Sequence, residues 1–324
     1  MNSAQHLLFL LEQHRSEHIS GQKLAEKLNI TRSAVWKAIE TLRNQGHVIE
    51  GVSNRGYRLL TVSTHLDLSY LKRLLSSYQI HLFDSIDSTN RYAKMLASES
   101  PDVKHLVIST HQTEGRGRLG RGFYSPQGGL YLSIVHPATF SMRDAMFITS
   151  ASSVAVYEAL LKHCHKRCWI KWVNDLYLDS KKDCGILTEG VIGIESNRLS
   201  AVVVGIGINL YTSRDAFFDE LIEIATSLFD GEKEVPSDFD ANALIATIAT
   251  LLDQKLNALP DHGFLEVYRE RSMILSKQVW VQQGKDRYLA WARQIDDEAH
   301  LVVESEERGR EVLSSAEISI RLEV

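Results

Sequence analysis

The apolar and polar positions of the first sixty residues follow the pattern of three short helices and a hairpin. Leucines occupy positions 7, 8, 10 and 11 of the first helix and give it an apolar stripe. Ser20 and Thr31 are suitable N-cap residues for the second and third helices, because their side-chain oxygens can accept from free backbone N–H groups. The apolar face of the third helix contains Val35, Ile39 and Leu42.

The second and third helices are joined by a tight turn at Asn29-Ile30, and the third ends before Gly46. Two helices with a short turn, followed by a hairpin over His47–Leu60, are typical of a winged helix-turn-helix. The start of its second helix enters a DNA groove, and a basic hairpin tip can lie against phosphates. The candidate DNA-binding residues are therefore Arg32, Ser33, Trp36, Lys37, Arg55 and Arg58. A small helical module for protein interaction remains the alternative interpretation of this pattern.

Strand-like and helix-like stretches alternate through the middle of the chain, after a linker near Leu60–Leu66. The predicted strands are His105–Thr110, Leu130–Val135, Trp169–Trp172, Leu176–Leu178, Gly185–Ile194 and Leu199–Ile208. The predicted helices are Asn90–Ser98, Arg143–Lys162, Asp215–Phe229 and Ala241–Leu259, the last stopped by Pro260. This mixture predicts an α/β or α+β class with a central mixed sheet and helices.

Short alternating segments separated by turn residues replace this pattern near the end of the chain. The predicted strands there are Val279–Gln283, Tyr288–Ile295, His300–Glu304 and Glu311–Ser314. Their spacing indicates a small all-β domain of the SH3-like barrel type. The sequence thus predicts three domains, over residues 1–63, 66–272 and 273–324.

Charge is distributed unevenly along the chain. The first sixty residues hold eight Lys and Arg against five Asp and Glu, whereas the whole chain has a net charge of −5. A basic front on an acidic body indicates that only the front meets nucleic acid. Three cysteines, no signal-peptide pattern and no long apolar run make the cytoplasm the expected location, without membrane attachment.

Glycines and arginines alternate over Gly115–Gly122. Glycine lets the backbone approach a ligand closely, and arginine supplies planar donors for phosphate and carboxylate oxygens. The first three glycines also fit a dinucleotide-binding fingerprint, but Pro126 and Gly128 follow where that fold requires a helix. We therefore interpret the segment as a loop that closes over an anionic ligand. A solvated basic turn or an RNA-binding stretch remains open for the segment taken alone.

The Gly-Arg segment closely resembles the GRGRxGR loop of biotin protein ligases, and four more motifs occur in that family's order. They are Asp87–Asn90 (the STN turn), Lys171–Asp175 (KWPND), Lys182–Leu187 (KxxGIL) and Gly205–Asn209 (GIGxN). With the winged helix and the barrel, the resemblance covers the whole chain and is to the bifunctional type, a biotin ligase that also represses the biotin operon. The chain departs from the family at Val173, usually proline, and at Phe123, which is tryptophan in a relative.

The resemblance implies a reaction in two steps. The carboxylate of biotin attacks the α-phosphate of ATP to give biotinyl-5′-AMP and pyrophosphate, and a lysine of an acceptor protein then takes the biotinyl group. Both reactants of the first step are anionic, so cationic donors must offset their repulsion. The resemblance assigns this catalytic role to Lys182, Arg116 and Arg118.

Further site residues follow from the same resemblance, and the neutral ones suit the uncharged ureido ring of biotin. The implied biotin-binding residues are Ser88, Thr89, Asn90, Gln112, Arg116, Gly117, Arg118, Lys182 and Gly185. The implied residues for ATP and the adenylate are Gly115, Arg118, Arg121, Phe123, Lys171, Asn174, Asp175 and Asn209.

The resemblance also implies cofactors and partners. They are ATP, biotin as substrate, Mg²⁺ with Asp175 as one candidate ligand, the biotin carboxyl carrier protein of acetyl-CoA carboxylase, operator DNA, and a second copy of the chain that joins on adenylate binding. A lipoate-type ligase or an inactive ligand sensor remain the alternatives. The first would lack the GRGRxGR loop, and the second would lack the charged residues.

The run His163–Cys168 contains two histidines and two cysteines, a combination that can bind a metal. Structural zinc sites usually take four ligands from paired motifs, and no second pair lies at a useful spacing. We therefore expect these residues, and Cys184, to have structural roles.

Overall fold

The computed structural model describes residues 3–14, 17–44, 47–61, 64, 66–138, 140–141, 144–193, 199–236, 239–314 and 316–320. Gly46, the linker residues 62, 63 and 65, Arg143 and Ile194, all named in the sequence predictions, lie outside them. Two compact units are formed, one by residues 1–77 and 232–247, the other by 78–231 and 248–324. Within the described residues, no helix has the length and apolarity of a membrane span.

The front of the chain folds as three helices and a hairpin, as the sequence predicts. Its elements are α1 (Ser3–Gln13), α2 (Gly21–Leu28), α3 (Arg32–Asn44), β1 (Val48–Val52) and β2 (Gly56–Thr61). A further helix, α4 (Leu68–Leu74), follows the hairpin. Both predicted caps are present, since Ser20 Oγ accepts from Lys23 N and Thr31 Oγ1 accepts from Ala34 N, each at 3.2 Å. The core that holds the three helices together includes Leu7, Leu8, Leu24, Ile39 and Leu42.

The larger unit is built on a sheet that contains seven strands within the described residues. They are β3 (Gln79–Phe83), β4 (His105–Ser109), β5 (Leu130–Pro137), β6 (Trp169–Lys171), β7 (Asp175–Leu178), β8 (Lys181–Ile192) and β9 (Leu199–Ile208). Their order is β3-β4-β5-β9-β8-β7-β6, and only the β3–β4 pair among these is parallel. Helix α5 (Thr89–Glu99) packs its apolar face on this sheet, and its N-cap is Ser88.

Helix α6 (Ile148–Cys164) begins later than the predicted Arg143–Lys162, because a 3₁₀ turn at Asp144–Phe147 precedes it. Its three serines lie in the core, and each hydroxyl donates to a backbone carbonyl of the preceding turn. The helix therefore buries almost its whole circumference. The remaining helices are α7 (Asp219–Ile222), α8 (Ala241–Ala258) and α9 (Phe264–Glu270).

The predicted helix Asp215–Phe229 is wrong. The segment contains a 3₁₀ turn at Arg214–Ala216 and the single turn α7, and then runs extended beside β8. Lys182 N donates to Ile224 O at 2.8 Å, and Thr226 N donates to Lys182 O at 2.9 Å. These bonds to another part of the chain satisfy the backbone groups that a helix would have paired locally.

The C-terminal region forms a second, antiparallel sheet, which contains five strands over the described residues. They are β10 (Gln278–Gln283), β11 (Asp286–Ile295), β12 (Leu301–Ser305), β13 (Gly309–Leu313) and β14 (Glu317–Ile320), in the order β13-β12-β11-β10-β14. The first four match the predicted strands, and β14 was not predicted. The predicted domain boundaries remain predictions.

Candidate active site

An open cleft of about 1050 Å³, counted out to bulk solvent, is lined by the Gly-Arg loop, by β8 and β9, and by the start of β14. It brings together most of the ligand residues predicted from the sequence. They are Ser88, Thr89, Asn90, Gln112, Arg116, Gly117, Arg118, Arg121, Phe123, Lys171, Asn174, Asp175, Lys182 and Gly185. Of the predicted set, Gly115 and Asn209 are described residues that do not line it.

Gly115 has a structural role at the neck of the loop. A Cβ at this position would lie 2.3 Å from Phe123 O and 2.4 Å from Ser125 Oγ. Its carbonyl accepts from Phe123 N at 2.8 Å, which closes the loop as a narrow hairpin. At the tip, Leu119 has a left-handed backbone (φ 56°) and is 82% exposed. After a 3₁₀ turn at Arg118–Gly120 the backbone continues without a further helix into β5, so the α-helix that a dinucleotide-binding fingerprint requires is not formed there.

Asn209 also lies behind the cleft and not in it. Its N–H donates to Asp183 O at 2.8 Å and its side-chain amide donates to Thr226 O at 3.0 Å. These bonds attach the segment that follows β9 to the end of β8 that carries Lys182. The residue thus supports the site from outside.

Glycines on neighbouring strands make the floor of the cleft flat. Gly185 on β8 is paired with Gly207 on β9, and the ring of Phe123 lies on both. A Cβ at Gly207 would lie 2.5 Å from Phe123 Cε1, so no larger residue fits there without moving the ring. The Lys182 ammonium lies 5.6 Å from the centre of the same ring, within the range of a cation–π contact.

One wall of the cleft is neutral and rich in hydrogen bonds. Gln112 Oε1 accepts from Thr89 N at 2.8 Å and from Thr89 Oγ1 at 3.0 Å, while Gln112 Nε2 donates to Ser125 Oγ at 2.9 Å. The Ser125 hydroxyl donates to Phe123 O at 2.9 Å. The chain of bonds joins the N-terminus of α5 to the Gly-Arg loop and fixes the orientation of the Gln112 amide.

The opposite part of the cleft is cationic. The described residues that line it include Arg116, Arg118, Arg121, Lys171 and Lys182, against the carboxylates of Asp175 and Glu317. Lys182 Nζ lies 2.8 Å from Asp175 Oδ1 on β7, and Arg118 Nη1 donates to Asn174 Oδ1 at 3.0 Å. This excess of positive charge suits a polyanionic ligand.

Two of these charges depend on their surroundings. Burial lowers the pKa of Lys171, whose ammonium lies 3.2 Å from the Tyr177 hydroxyl. Arg121 makes two bonds to the Glu317 carboxylate, at 2.8 and 2.6 Å, and these bonds lower the pKa of Glu317. Arg121 and Glu317 therefore both remain ionised near neutral pH.

Asp183 lies directly behind Lys182 and is completely buried. Its Oδ2 is 3.7 Å from Cys168 Sγ, and its Oδ1 has no hydrogen-bond partner in the described part of the chain. Burial raises the pKa of Asp183 to about 7 and also raises the pKa of Cys168 and Cys184. The site therefore rests on a layer of largely neutral groups.

The run His163–Cys168 is spread over different environments. Cys164 and Cys168 are buried, whereas His165 is exposed at the C-cap of α6 with a left-handed backbone. Among the described residues, no three His, Cys, Asp or Glu side chains converge in a way that could hold a metal ion. Burial raises the pKa of Cys164 to about 12, as expected for a thiol of the core.

Several residues of the cleft were not named individually as ligands by the sequence analysis, although most of them lie within its motifs. They are Leu119, Gly122, Leu132, Trp172, Ile186, Leu187, Gly205, Ile206, Gly207, Ala316, Glu317 and Ile318. The Gly205–Asn209 motif is the signal that pointed to two of the glycines. No local signal marks Glu317, because its partner Arg121 is 196 positions away in the sequence.

The candidate DNA-binding residues lie where the prediction requires. Arg32, Ser33 and Lys37 are exposed at the start of α3, and Trp36 is 55% exposed there. Arg55 is exposed at the tip of the β1–β2 hairpin. Arg58 differs, because its guanidinium lies 3.0 Å from the Glu50 carboxylate and is half-buried.

Comparison with known proteins agrees with this architecture. The profile of the Biotin/lipoate A/B protein ligase family matches residues 82–209, and a helix-turn-helix domain profile matches residues 4–58. The chain is 33% identical over 322 residues to the bifunctional ligase/repressor BirA of Bacillus spizizenii, with 97% of both chains covered. It is 28% identical over 296 residues to the protein of the same name from Escherichia coli, with 90% and 89% covered.

A similar fold is found in the solved structure of the biotin protein ligase from Aquifex aeolicus in complex with biotin and ATP. That structure superimposes with a TM-score of 0.59 at 23% identity, and covers 75% of this chain and 98% of its own. This likeness concerns the fold alone. The similarity to the Bacillus protein extends over nearly the whole of both chains. The chain therefore belongs to the family of bifunctional ligase/repressor proteins.

Proposed function

We propose that this protein uses ATP to activate biotin in the cleft and transfers the biotinyl group to a lysine of an acceptor protein. Family membership supports the activity, and the two substrates are those bound in the Aquifex structure. One observation carries the assignment of the site. A single cleft combines a neutral hydrogen-bonding wall, apolar side chains and a cationic end.

Biotin would lie along the wall of α5, beside the Phe123 ring that covers the glycine floor. Its ureido ring is uncharged and offers two N–H donors and one carbonyl, which match the side chains of Ser88, Thr89, Asn90 and Gln112. Leu132, Leu187 and Ile206 also line the cleft and suit the hydrocarbon chain. The carboxylate would then face the cations, with Gly117 and Gly185 giving backbone room.

ATP would bind at the cationic end. Arg116, Arg118, Arg121 and Lys171 would contact the phosphates, and Phe123 would offer its free ring face to the purine. Lys182 would leave Asp175 and bridge the biotin carboxylate and the α-phosphate. As the carboxylate oxygen bonds to phosphorus, the bond to the pyrophosphate oxygen breaks, and Lys182 stabilises the charge that develops.

Asp175 and Asn174 would complete the site. Asp175, a carboxylate that lines the cleft, is the type of oxygen ligand that would hold Mg²⁺, and the ion would supply charge neutralisation for the triphosphate. Asp175 is the group available for this ion or for the attacking lysine. In the second step the acceptor amine bonds to the acyl carbon, AMP leaves, and the amine loses a proton.

The front of the chain would act as a biotin-responsive repressor. The exposed start of α3 and the hairpin tip fit the major groove and the phosphates of operator DNA. We infer that adenylate binding brings two copies together, because a two-half-site operator requires two helices α3. The biotin carboxyl carrier protein of acetyl-CoA carboxylase is the proposed acceptor.

The test is adenylate formation without an acceptor. Purified protein is mixed with Mg²⁺ and radiolabelled ATP, and with biotin or lipoate in parallel. Bound biotinyl-adenylate with biotin alone is expected. A product with lipoate alone would indicate a lipoate-type ligase, and no product with either from folded protein would indicate a ligand sensor.

A further inference from the structure

The hydrogen bonds of the neutral wall continue behind it to a carboxylate on β8. The Ser133 hydroxyl lies 2.6 Å from Asn90 Oδ1 and 2.8 Å from Thr89 Oγ1. Asn90 Nδ2 donates to Glu189 Oε2 at 2.9 Å, and Lys94 Nζ lies 2.9 Å from Glu189 Oε1. Ser133 is completely buried and Asn90 is 5% exposed, so water does not compete for the bonds between Ser133, Asn90 and Thr89, whereas Glu189 at the far end is partly exposed.

The carboxylate at the end of this chain sets the direction of every bond. An ionised carboxylate only accepts, so Asn90 must turn its NH₂ group toward Glu189 and its oxygen toward Ser133. The Asn90 oxygen then takes the single hydroxyl proton of Ser133. Thr89 must therefore donate its own proton to Ser133 Oγ or to Gln112 Oε1. In either case Thr89 accepts nothing from Ser133, and both lone pairs of Thr89 Oγ1 are left for a ligand.

The backbone of β9 packs against the Asn90 side chain and limits its movement. A Cβ at Gly205 would lie 2.2 Å from Asn90 Oδ1, so the amide is packed against bare backbone of β9. In this position the amide can flip, which exchanges its oxygen and its NH₂ group, but the backbone of β9 blocks a sideways displacement. Only the charge of Glu189 distinguishes the two ends of the amide.

We propose that Glu189 is a positioning residue for the biotin site: acting through Asn90 and Ser133, it keeps the Ser133 proton away from Thr89, so that both lone pairs of the Thr89 hydroxyl can accept from ligand N–H groups. This inference rests on the proposed function, which places the ureido ring at this wall. A ring with N–H donors satisfies the acceptor, whereas a ring without them leaves a buried acceptor unpaired. Glu189 thereby contributes to the choice of biotin over a lipoate-like dithiolane within a family that handles both.

Glu189→Gln tests the proposal in the full-length protein, since Gln keeps the size of the side chain but can present a donor to Asn90. The Kd for biotin and for desthiobiotin, which keeps the ureido ring, is expected to rise about tenfold. The kcat and the KM for ATP should change less than twofold. Glu158→Gln is the matched control, because Glu158 pairs with Lys255 at 2.8 Å, outside this network, and should leave all constants unchanged.

Ser133→Ala provides a second test, because the single variant leaves Glu189 in place and should itself raise the Kd for biotin. It removes the donor between Asn90 and Thr89, and the double variant should bind biotin no more weakly than the weaker single variant, because both act on one chain of bonds. Parent-like biotin affinity in Glu189→Gln, equal losses for biotin and ATP, or the same loss in Glu158→Gln would each overturn the proposal.

Thr89→Val separates this inference from the assignment on which it rests. Valine cannot accept from a ligand N–H group. If Thr89→Val binds biotin as tightly as the parent, the wall does not hold the ureido ring and the proposed site is wrong. If Thr89→Val weakens binding and Glu189→Gln does not, the site stands and only the positioning role fails.

Discussion

Lys182 and Asp183 are neighbours on β8 and face opposite environments. Lys182 points into the cleft, where it pairs with Asp175 at 2.8 Å and its side chain is 30% exposed. Asp183 is buried on the other face beside Cys168. The two residues lie where the β7–β8 register is irregular, and there the proposed catalytic cation faces the cleft while the acid beside it is buried.

Lys182→Ala should lower the rate of adenylate formation by at least about a hundredfold, because it removes the cation nearest the reacting carboxylate and phosphate. The melting temperature should change little, since the side chain is partly exposed. Labelled adenylate measured in single turnovers checks this. Lys181→Ala is the control, because that ammonium donates to Ile222 O and Lys181 does not line the cleft. Equal adenylation by folded Lys182→Ala would refute the role.

Asp183→Asn should stabilise the protein at neutral and alkaline pH. The folded-state pKa is raised to about 7, above the ordinary value of 3.8. Between these values the unfolded chain has lost a proton that the folded chain keeps, so the parent loses stability as the pH rises to 7. The gain from the substitution should be small at pH 4 and about 4 kcal/mol at pH 8, the free energy that corresponds to the difference between the two pKa values. Urea unfolding at both pH values measures it, and a gain that does not depend on pH would contradict the assignment.

At the scale of elements, the Gly-Arg loop is held from both ends. Its neck is closed by the bond between Phe123 N and Gly115 O, and its far side is tied to β14 by the pair of Arg121 and Glu317. This pair is exposed, so it contributes little to global stability. Its effect is expected on the mobility of the loop.

Glu317→Gln should therefore make the loop easier to cleave with trypsin, which cuts after its arginines. A several-fold faster nick without ligand is expected, because the charged tie to β14 is lost. Biotin and ATP together should restore protection. Glu304→Gln is the control, since Glu304 pairs with Arg293 at 2.6 Å within the same C-terminal sheet. Equal cleavage of both variants would show that the tie does not restrain the loop.

At the scale of the whole molecule, the charge differs between the helix-turn-helix region and the rest of the chain. The proposed function assigns DNA binding to the first and the ligase reaction to the second. The front carries a net charge of +3 over its first sixty residues, in a chain of net charge −5. Operator binding should strengthen when biotin and ATP are added together and weaken steeply with salt. Binding that is insensitive to salt and to both ligands would refute the repressor assignment.

Lys37→Ala should lower operator affinity and reduce the salt slope by about one, as for the loss of one phosphate contact. Arg58→Ala should have a smaller effect on the slope, because Arg58 is already paired with Glu50. Titrations at several salt concentrations check both. Arg293→Ala, in the other compact unit, should leave the slope at the parent value. A larger slope change for Arg58 than for Lys37 would reverse the assignment of the phosphate contact.

The sequence by itself determined the features that depend on residues close together along the chain. The caps at Ser20 and Thr31, the apolar face of α3 and the glycine spacing of the loop are local patterns, and each was found where predicted. The family motifs predicted most of the residues that line the cleft for the same reason, since each motif is a short run with its own chemistry.

Only the tertiary structure decided the contacts between distant segments. It placed Glu317 on Arg121 and removed Gly115 and Asn209 from the lining of the cleft. It turned the predicted helix Asp215–Phe229 into an extended segment beside β8. The physical reason is common to these cases: backbone groups and charges take the partner that folding brings nearest, and the spacing along the chain does not record which partner that is.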